Sequence, residues 1–235
     1  MKDNKFQFTF FNLESYYIEI LSQGYKVVTC QEYVKRKQEL ISEPKVLVNR
    51  IDIDLSIKKA EKLAIIFNTL GIKGSFFIRL HAPEYNPFAF ENYRIIKFMI
   101  QSGHEIGYHS EIIDQAAIWN EDPKNNLLRD IKTINTMFDI QITGIASHGG
   151  MTGLNNLDFW KSNNPKDFGL LYEAYDWFDE SFYVSDSEWT RWKCYNNGKL
   201  VPNDNRTLGE QAKENHKLLY ALIHSDTYFE NHFYE

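Results

Sequence analysis

Hydrophobic and polar positions along this chain switch between a helical period and a strand period. FNLESYYIEILSQG at 11–24 carries apolar side chains at helical spacing and stops at Gly24, a natural helix terminator. YKVVTC follows as a short strand, QEYVKRKQEL at 31–40 as a second, strongly polar helix, and SEP breaks it. KVLVNRIDIDLS at 45–56 is an apolar run with β-branched residues that ends in charge, the form of a buried strand reaching the rim of a sheet. An amphipathic helix over 57–70 is closed by Gly71, and KGSFFIRL at 73–80 is another buried strand. Strand, helix, glycine, strand is the sequence form of a βαβ unit, which implies parallel strands joined by a right-handed crossover.

The pattern continues. HAPEYNPFAF is a loop at the carboxyl end of a strand, ENYRIIKFMIQSG a helix, and HEIGYHSE a strand running out into a loop. A helix is expected over roughly 124–138, a strand and loop at ITGIASHGG, and the start of another helix at 155–160. Short apolar strands, FGLLYEA, SFYVSD and LLYALIHSD, then alternate with turns. No internal repeat is visible. A succession of strand and helix units around one sheet predicts an α/β fold, and a barrel fits it better than a sandwich. A chain of 235 residues, 43% of them hydrophobic, can bury a substantial core as a single domain or as one domain plus a small appendage.

Charge narrows the partners. A formal net charge of −6 argues against nucleic acid, which needs a concentrated basic face; Lys35, Arg36 and Lys37 read as a solvated helix end. No apolar run is long enough to span a membrane, and MKDNKFQFTF lacks the pattern of a secretory signal. Cys30 and Cys194 are far apart and outside any paired motif, which suggests reduced thiols in a cytoplasmic protein. Aromatic residues make up 15% of the chain; most such rings are core, though rings also stack on sugar faces.

The candidate chemistry sits at strand ends. Asp52 and Asp54 are two apart, so on extended backbone both side chains leave on one face, with Ile51 and Ile53 on the other. Such a pair of like charges calls for a cation; the alternative is a turn in which an aspartate caps the following helix. His109, His148 and His224 end three further apolar segments, and in a parallel α/β fold those ends converge on one face. A metal site with an open position would use Asp54, His109 and His148, with zinc the default divalent ion and cobalt, nickel, iron or manganese as alternatives. Asp52 could then take a proton from the activated water, and His224 could protonate a departing amine. His104, five residues before His109, falls on the opposite face and suits a hydrogen bond to backbone.

RIDID at 50–54, GSFFIRL at 74–80, GHEIGYH at 103–109 and LIHSD at 222–226 resemble the successive motifs of the polysaccharide deacetylase superfamily, which includes nodulation-type chitooligosaccharide deacetylases and peptidoglycan deacetylases. GYKVVTCQEY resembles a segment that precedes the first motif in polysaccharide-biosynthesis members. The resemblance implies a distorted (β/α) barrel over residues 1–235, with 1–44 as a helix and strand extension packed on it. It also implies metal-dependent hydrolysis of an acetyl group on a sugar, with Asp52 as general base, Asp54 and His109 as metal ligands and His224 as general acid.

The family's second motif ends in another histidine ligand, and here Ile113 stands in its place. His148, beside two glycines that let a ligand approach, is the favoured replacement; Glu111 is another, and a degenerate site the third. The arginine that steadies the family's base is also missing, which leaves Arg50 or Arg79 for that role. Asp186 could orient His224, bind substrate or be a turn residue. The substrate implied is a small-molecule, nucleotide-linked or lipid-linked sugar of surface-glycan assembly. A carbohydrate-binding protein without catalysis, or a hydrolase of another C–N bond such as a formamide or cyclic amide, are the alternatives. The sequence leaves the oligomeric state open.

Overall fold

The computed structural model describes residues 6–234; residues 1–5 and 235, and with them half of the stretch read for a secretory signal, lie outside it. The chain begins with α1 (Phe10–Ser22), whose first turn is capped by the Thr9 side chain and whose Leu13, Tyr17 and Ile20 are buried at helical spacing. β1 (Lys26–Val28) leads into α2 (Cys30–Lys35) and α3 (Lys37–Leu40), so the helix expected over 31–40 is two short helices meeting at Arg36. A capping box between Thr29 and Glu32 starts the first of them.

β2 (Val46–Ile53), α4 (Ile57–Thr69), β3 (Ser75–Ile78), α5 (Phe90–Gln101) and β4 (Glu105–Ser110) follow in the expected order. Next come α6 (Ile112–Trp119), which the sequence pattern did not suggest, α7 (Pro123–Phe138) and β5 (Gly144–Ser147). After two 3-10 turns, the FGLLYEA strand shrinks to β6 (Tyr172–Glu173). β7 (Phe182–Ser185), β8 (Lys193–Asn196), β9 (Lys199–Leu200), α8 (Leu208–Ala212) and β10 (Leu218–His224) complete the fold.

The strands form one sheet in the order β6-β5-β4-β3-β2-β10-β7-β8-β9. All pairings from β6 to β7 are parallel, and β8 and β9 add an antiparallel edge. β10 lies along one side of β2, while β1 pairs with the first half of the other side and β3 with the second. β2 is consequently buried along its whole length, as an interior parallel strand should be. Its odd positions Leu47, Ile51 and Ile53 join the core under the helices. Its even positions Val46 and Val48 join a second core that also contains Phe77, Ala146, Tyr172, Tyr183, Tyr220 and Leu222.

That second core gathers side chains from β1 to β10, so the sheet curls around it. Gly107 and Gly144 make room for it: a Cβ at Gly107 would lie 2.4 Å from the Phe77 ring, and one at Gly144 2.1 Å from Tyr172. Trp177 bridges the two ends of the curl, with ring centroids 5.2 Å from Tyr172 and 5.4 Å from Tyr220, and the Tyr220 hydroxyl donates to the Ala174 carbonyl. The α/β class agrees with the sequence expectation. No ladder joins β6 to β7, β8 or β9 among the described residues, so backbone pairing does not close a barrel. None of the described helices is long and apolar enough to cross a membrane.

Candidate metal and catalytic centre

The carboxyl ends of β2, β4, β5 and β10 meet at one cavity of about 370 Å³, lined by Arg50, Asp52, Asp54, His109, His148 and His224 among others. The register of the sheet produces this convergence. Asp52 is paired with His224 across β2 and β10, and His109 with Ala146 across β4 and β5, which puts His148 one step beyond the strand end on the same face.

Asp54 lies just past β2, in a turn held from outside. The Asp226 carboxylate accepts the amides of Asp54 (3.1 Å) and Leu55 (2.8 Å), and burial together with the nearby Asp54 pushes the Asp226 carboxyl up to about 6. Ser56, and neither aspartate, caps α4. The capping alternative for Asp52 and Asp54 is therefore not the arrangement found.

Asp54, His109 and His148 each offer one ligand atom, all within 4.8 Å of one another. His109 Nε2 is 3.2 Å and His148 Nε2 4.0 Å from Asp54 Oδ1, an atom that is buried without a hydrogen-bond partner among the described residues. His109 Nδ1 donates to the Ala146 carbonyl at 2.9 Å when the ring is in the tautomer that leaves Nε2 with its lone pair facing the carboxylate. Lone pairs that face a carboxylate oxygen in a buried site repel unless a proton or a cation lies between them. One carboxylate and two imidazoles thus fit a small divalent ion. Burial opposes charge on His109, but Asp52 and Asp54 outweigh it and raise the imidazole's pKa. Burial likewise pushes Asp54 up, yet the close approach and charge of His109, with His224 and His148, hold it well below the usual carboxylate range.

Asp52 is 1% exposed and faces Arg50, which is itself fully buried. Arg50 donates through Nε to Oδ1 (2.9 Å) and through Nη2 to Oδ2 (2.7 Å), a two-point grip that fixes the carboxylate plane. The guanidinium rests on Tyr175 at 4.6 Å. Burial raises the Asp52 pKa, and Arg50, His109 and His224 together bring it down below normal. Of the two arginines considered for this carboxylate, Arg50 is the one in contact. Arg79 lies elsewhere, donating to Glu111 (2.7 Å) and to the Asp54 carbonyl (2.9 Å).

His224 closes the other side. Its Nδ1 is 2.7 Å from Asp186 Oδ1, its amide donates to the same carboxylate at 3.0 Å, and its Nε2 turns toward Asp54 Oδ2 at 4.0 Å. Burial works against the charged ring, but Asp186 prevails and the His224 pKa rises to about 9. Asp186 contacts His224 from behind and does not line the cavity. His104 lies outside the centre: its Nδ1 accepts the Gly74 amide, its ring meets Phe76, and burial lowers its pKa to about 4.

The far wall consists of Tyr175, Phe178, Tyr183, Trp189 and Tyr195. No spacing rule singles these rings out; the signal is the density of aromatics between 172 and 195. Ile113, the residue at the position where the sequence resemblance led one to expect a histidine, is partly buried against the main core.

Fold and site together define an α/β protein with a carboxylate and imidazole centre on the carboxyl rim of a mainly parallel sheet. No family model matches the chain, and no curated protein matches it in sequence. Among solved structures it is similar to the Streptococcus pyogenes deacetylase PplD in complex with acetate. That match has a TM-score of 0.51 and 12% identity, and covers 86% of this chain and 84% of that one. At this identity the likeness speaks for the fold alone.

Proposed function

We propose that this chain is a metal-dependent hydrolase that removes an acyl group, acetyl first, from an amino sugar or sugar intermediate of glycan biosynthesis. The observation that carries the reading is the meeting of Asp54, His109 and His148 within 4.8 Å, flanked by Asp52 and His224 in the same cavity. The fold of a solved deacetylase supports it. On this reading the curled sheet is a distorted (β/α) barrel in one domain over 1–235, with 1–44 as an extension that supplies α1 and β1. The buried free thiols Cys30 and Cys194 are in keeping with the reducing cytoplasm.

A divalent cation held by Asp54, His109 and His148 would polarise a water and the acyl carbonyl. Asp52, kept ionised by Arg50, takes the proton of the attacking water as its oxygen bonds to the acyl carbon. His224, protonated and oriented through Nδ1 by Asp186, delivers a proton from Nε2 to the nitrogen as the C–N bond breaks. Carboxylic acid and free amine leave, and the proton gained at Asp52 balances the one given by His224. Tyr175, Phe178, Tyr183, Trp189 and Tyr195 offer the sugar apolar faces and tyrosine hydroxyls.

Zinc-loaded protein is expected to release acetate from a panel of N-acetylated amino sugars, and His148→Ala to abolish that release. No acid release from any N-acyl sugar would sink the proposal. Formamides and cyclic amides belong in the same panel, because the same water activation serves them and only the acyl pocket differs.

A further inference from the structure

His109 and His148 are held in different ways. His109 Nδ1 reaches a backbone carbonyl, whereas His148 Nδ1 is buried without a formed hydrogen bond among the described residues, and the polar group beside it is the Glu111 carboxylate at 3.2 Å. Glu111 is 1% exposed and sits two residues after His109, so the strand period that turns His109 inward turns Glu111 inward too. Arg79 donates to the same oxygen, Oε1, at 2.7 Å and ties the pair to the Asp54 carbonyl at 2.9 Å. A buried carboxylate placed here without purpose would be costly even with its arginine.

The backbone of His148 is fixed as firmly. Its amide donates to the Ser110 carbonyl at 2.9 Å, and its carbonyl accepts from Asn156 Nδ2 at 3.1 Å. Asn156 Oδ1 in turn accepts the amides of Ile113 and Asp114 at the start of α6, and the Asp114 carboxylate accepts from Met151, Thr152 and Asn156. The segment that offers Ile113 in place of a ligand therefore anchors the loop that offers His148.

We infer that Glu111, braced by Arg79, is a positioning residue that accepts the Nδ1 proton of His148 and turns its Nε2 toward Asp54 and His109. This rests on the metal-dependent reading of the centre. A histidine whose outer nitrogen donates to a carboxylate has its tautomer and ring angle set before any ion arrives, and loss of such a partner typically weakens metal affinity 10- to 100-fold.

The test is zinc affinity, measured by competition with a chromophoric chelator for wild type, Glu111→Gln and His148→Ala, with melting of the metal-free proteins followed in parallel. Glu111→Gln should bind zinc about 10- to 100-fold more weakly, and His148→Ala more weakly still. Equal affinity in wild type and Glu111→Gln would overturn the inference while leaving the centre intact. Full affinity in His148→Ala with loss in Glu111→Gln would make Glu111 a ligand and overturn it as well. Failure of wild type to bind zinc would remove both the inference and the reading beneath it. Should Glu111→Gln fail to fold, nitrogen NMR of the metal-free wild type decides: Nδ1 of His148 should carry the proton, and an unprotonated Nδ1 contradicts the inference.

Discussion

Glu105 at one end of the sheet and the Asp52 and Asp54 pair at the other are carboxylates held in opposite ways. At the amino end, Glu105 accepts from the Ser75 hydroxyl (2.5 Å), the Tyr172 hydroxyl (2.5 Å) and the Gln31 amide (2.9 Å). Every one of these donors is neutral. Burial raises the Glu105 pKa, and the hydrogen bonds only partly offset it. At the carboxyl end, Asp52 and Asp54 face an arginine and imidazoles, both are pulled below their ordinary pKa, and Asp54 Oδ1 has no hydrogen-bond partner among the described residues. A carboxylate satisfied by neutral donors stitches a fold together. Carboxylates kept charged with an orphaned oxygen are poised for a cation and a proton.

The contrast breaks most visibly at Asp52. Asp52→Asn should lower kcat about 10²- to 10⁴-fold while bound metal stays at the wild-type level, because Asp52 is no ligand in this account. Steady-state kinetics beside metal analysis checks this, and a loss under tenfold would contradict the role given to it.

A smaller effect concerns His224 in the metal-free protein. Its pKa is raised in the folded state, so its pairing with Asp186 stabilises fully below the unfolded value near 6.5 and is lost as pH rises through about 9. Urea unfolding at pH 6 and pH 10 should show a drop in stability on the alkaline side that His224→Gln lacks. Parallel pH profiles for the two proteins would refute the coupling.

The smallest effect belongs to the amino end. Glu105→Gln turns an amide N–H toward one of the existing donors, which should cost about 1–3 kcal/mol in thermal melting and leave kcat and metal content unchanged. Altered metal content would erase the distinction between the two ends.

Much of the scaffold was legible because interior parallel strands are apolar runs: VLVNRIDI, SFFI and LLYALIH read as strands before any pairing is known. The positions of Asp52, Asp54, His109, His148 and His224 at strand ends were legible for the same reason. α6 was not, because its amino end is capped by Asn156, more than forty residues on, and carries no cap of its own. The hairpin of β8 and β9 had a readable signal in Asn197-Gly198, whose positive φ angles of 48° and 73° suit a tight hairpin turn, but the strands flanking it are too short and polar to stand out. The choice between Arg50 and Arg79 needed three dimensions. Arg50 and Asp52 share a face of β2, whereas Arg79 is drawn off by Glu111.

Zinc-edge anomalous diffraction from crystals grown with one equivalent of zinc tests the central claim most directly. The account predicts one ion bonded to Asp54, His109 Nε2 and His148 Nε2 at about 2.0–2.1 Å. Zinc bound away from these three side chains, or no ordered zinc at all, would contradict it.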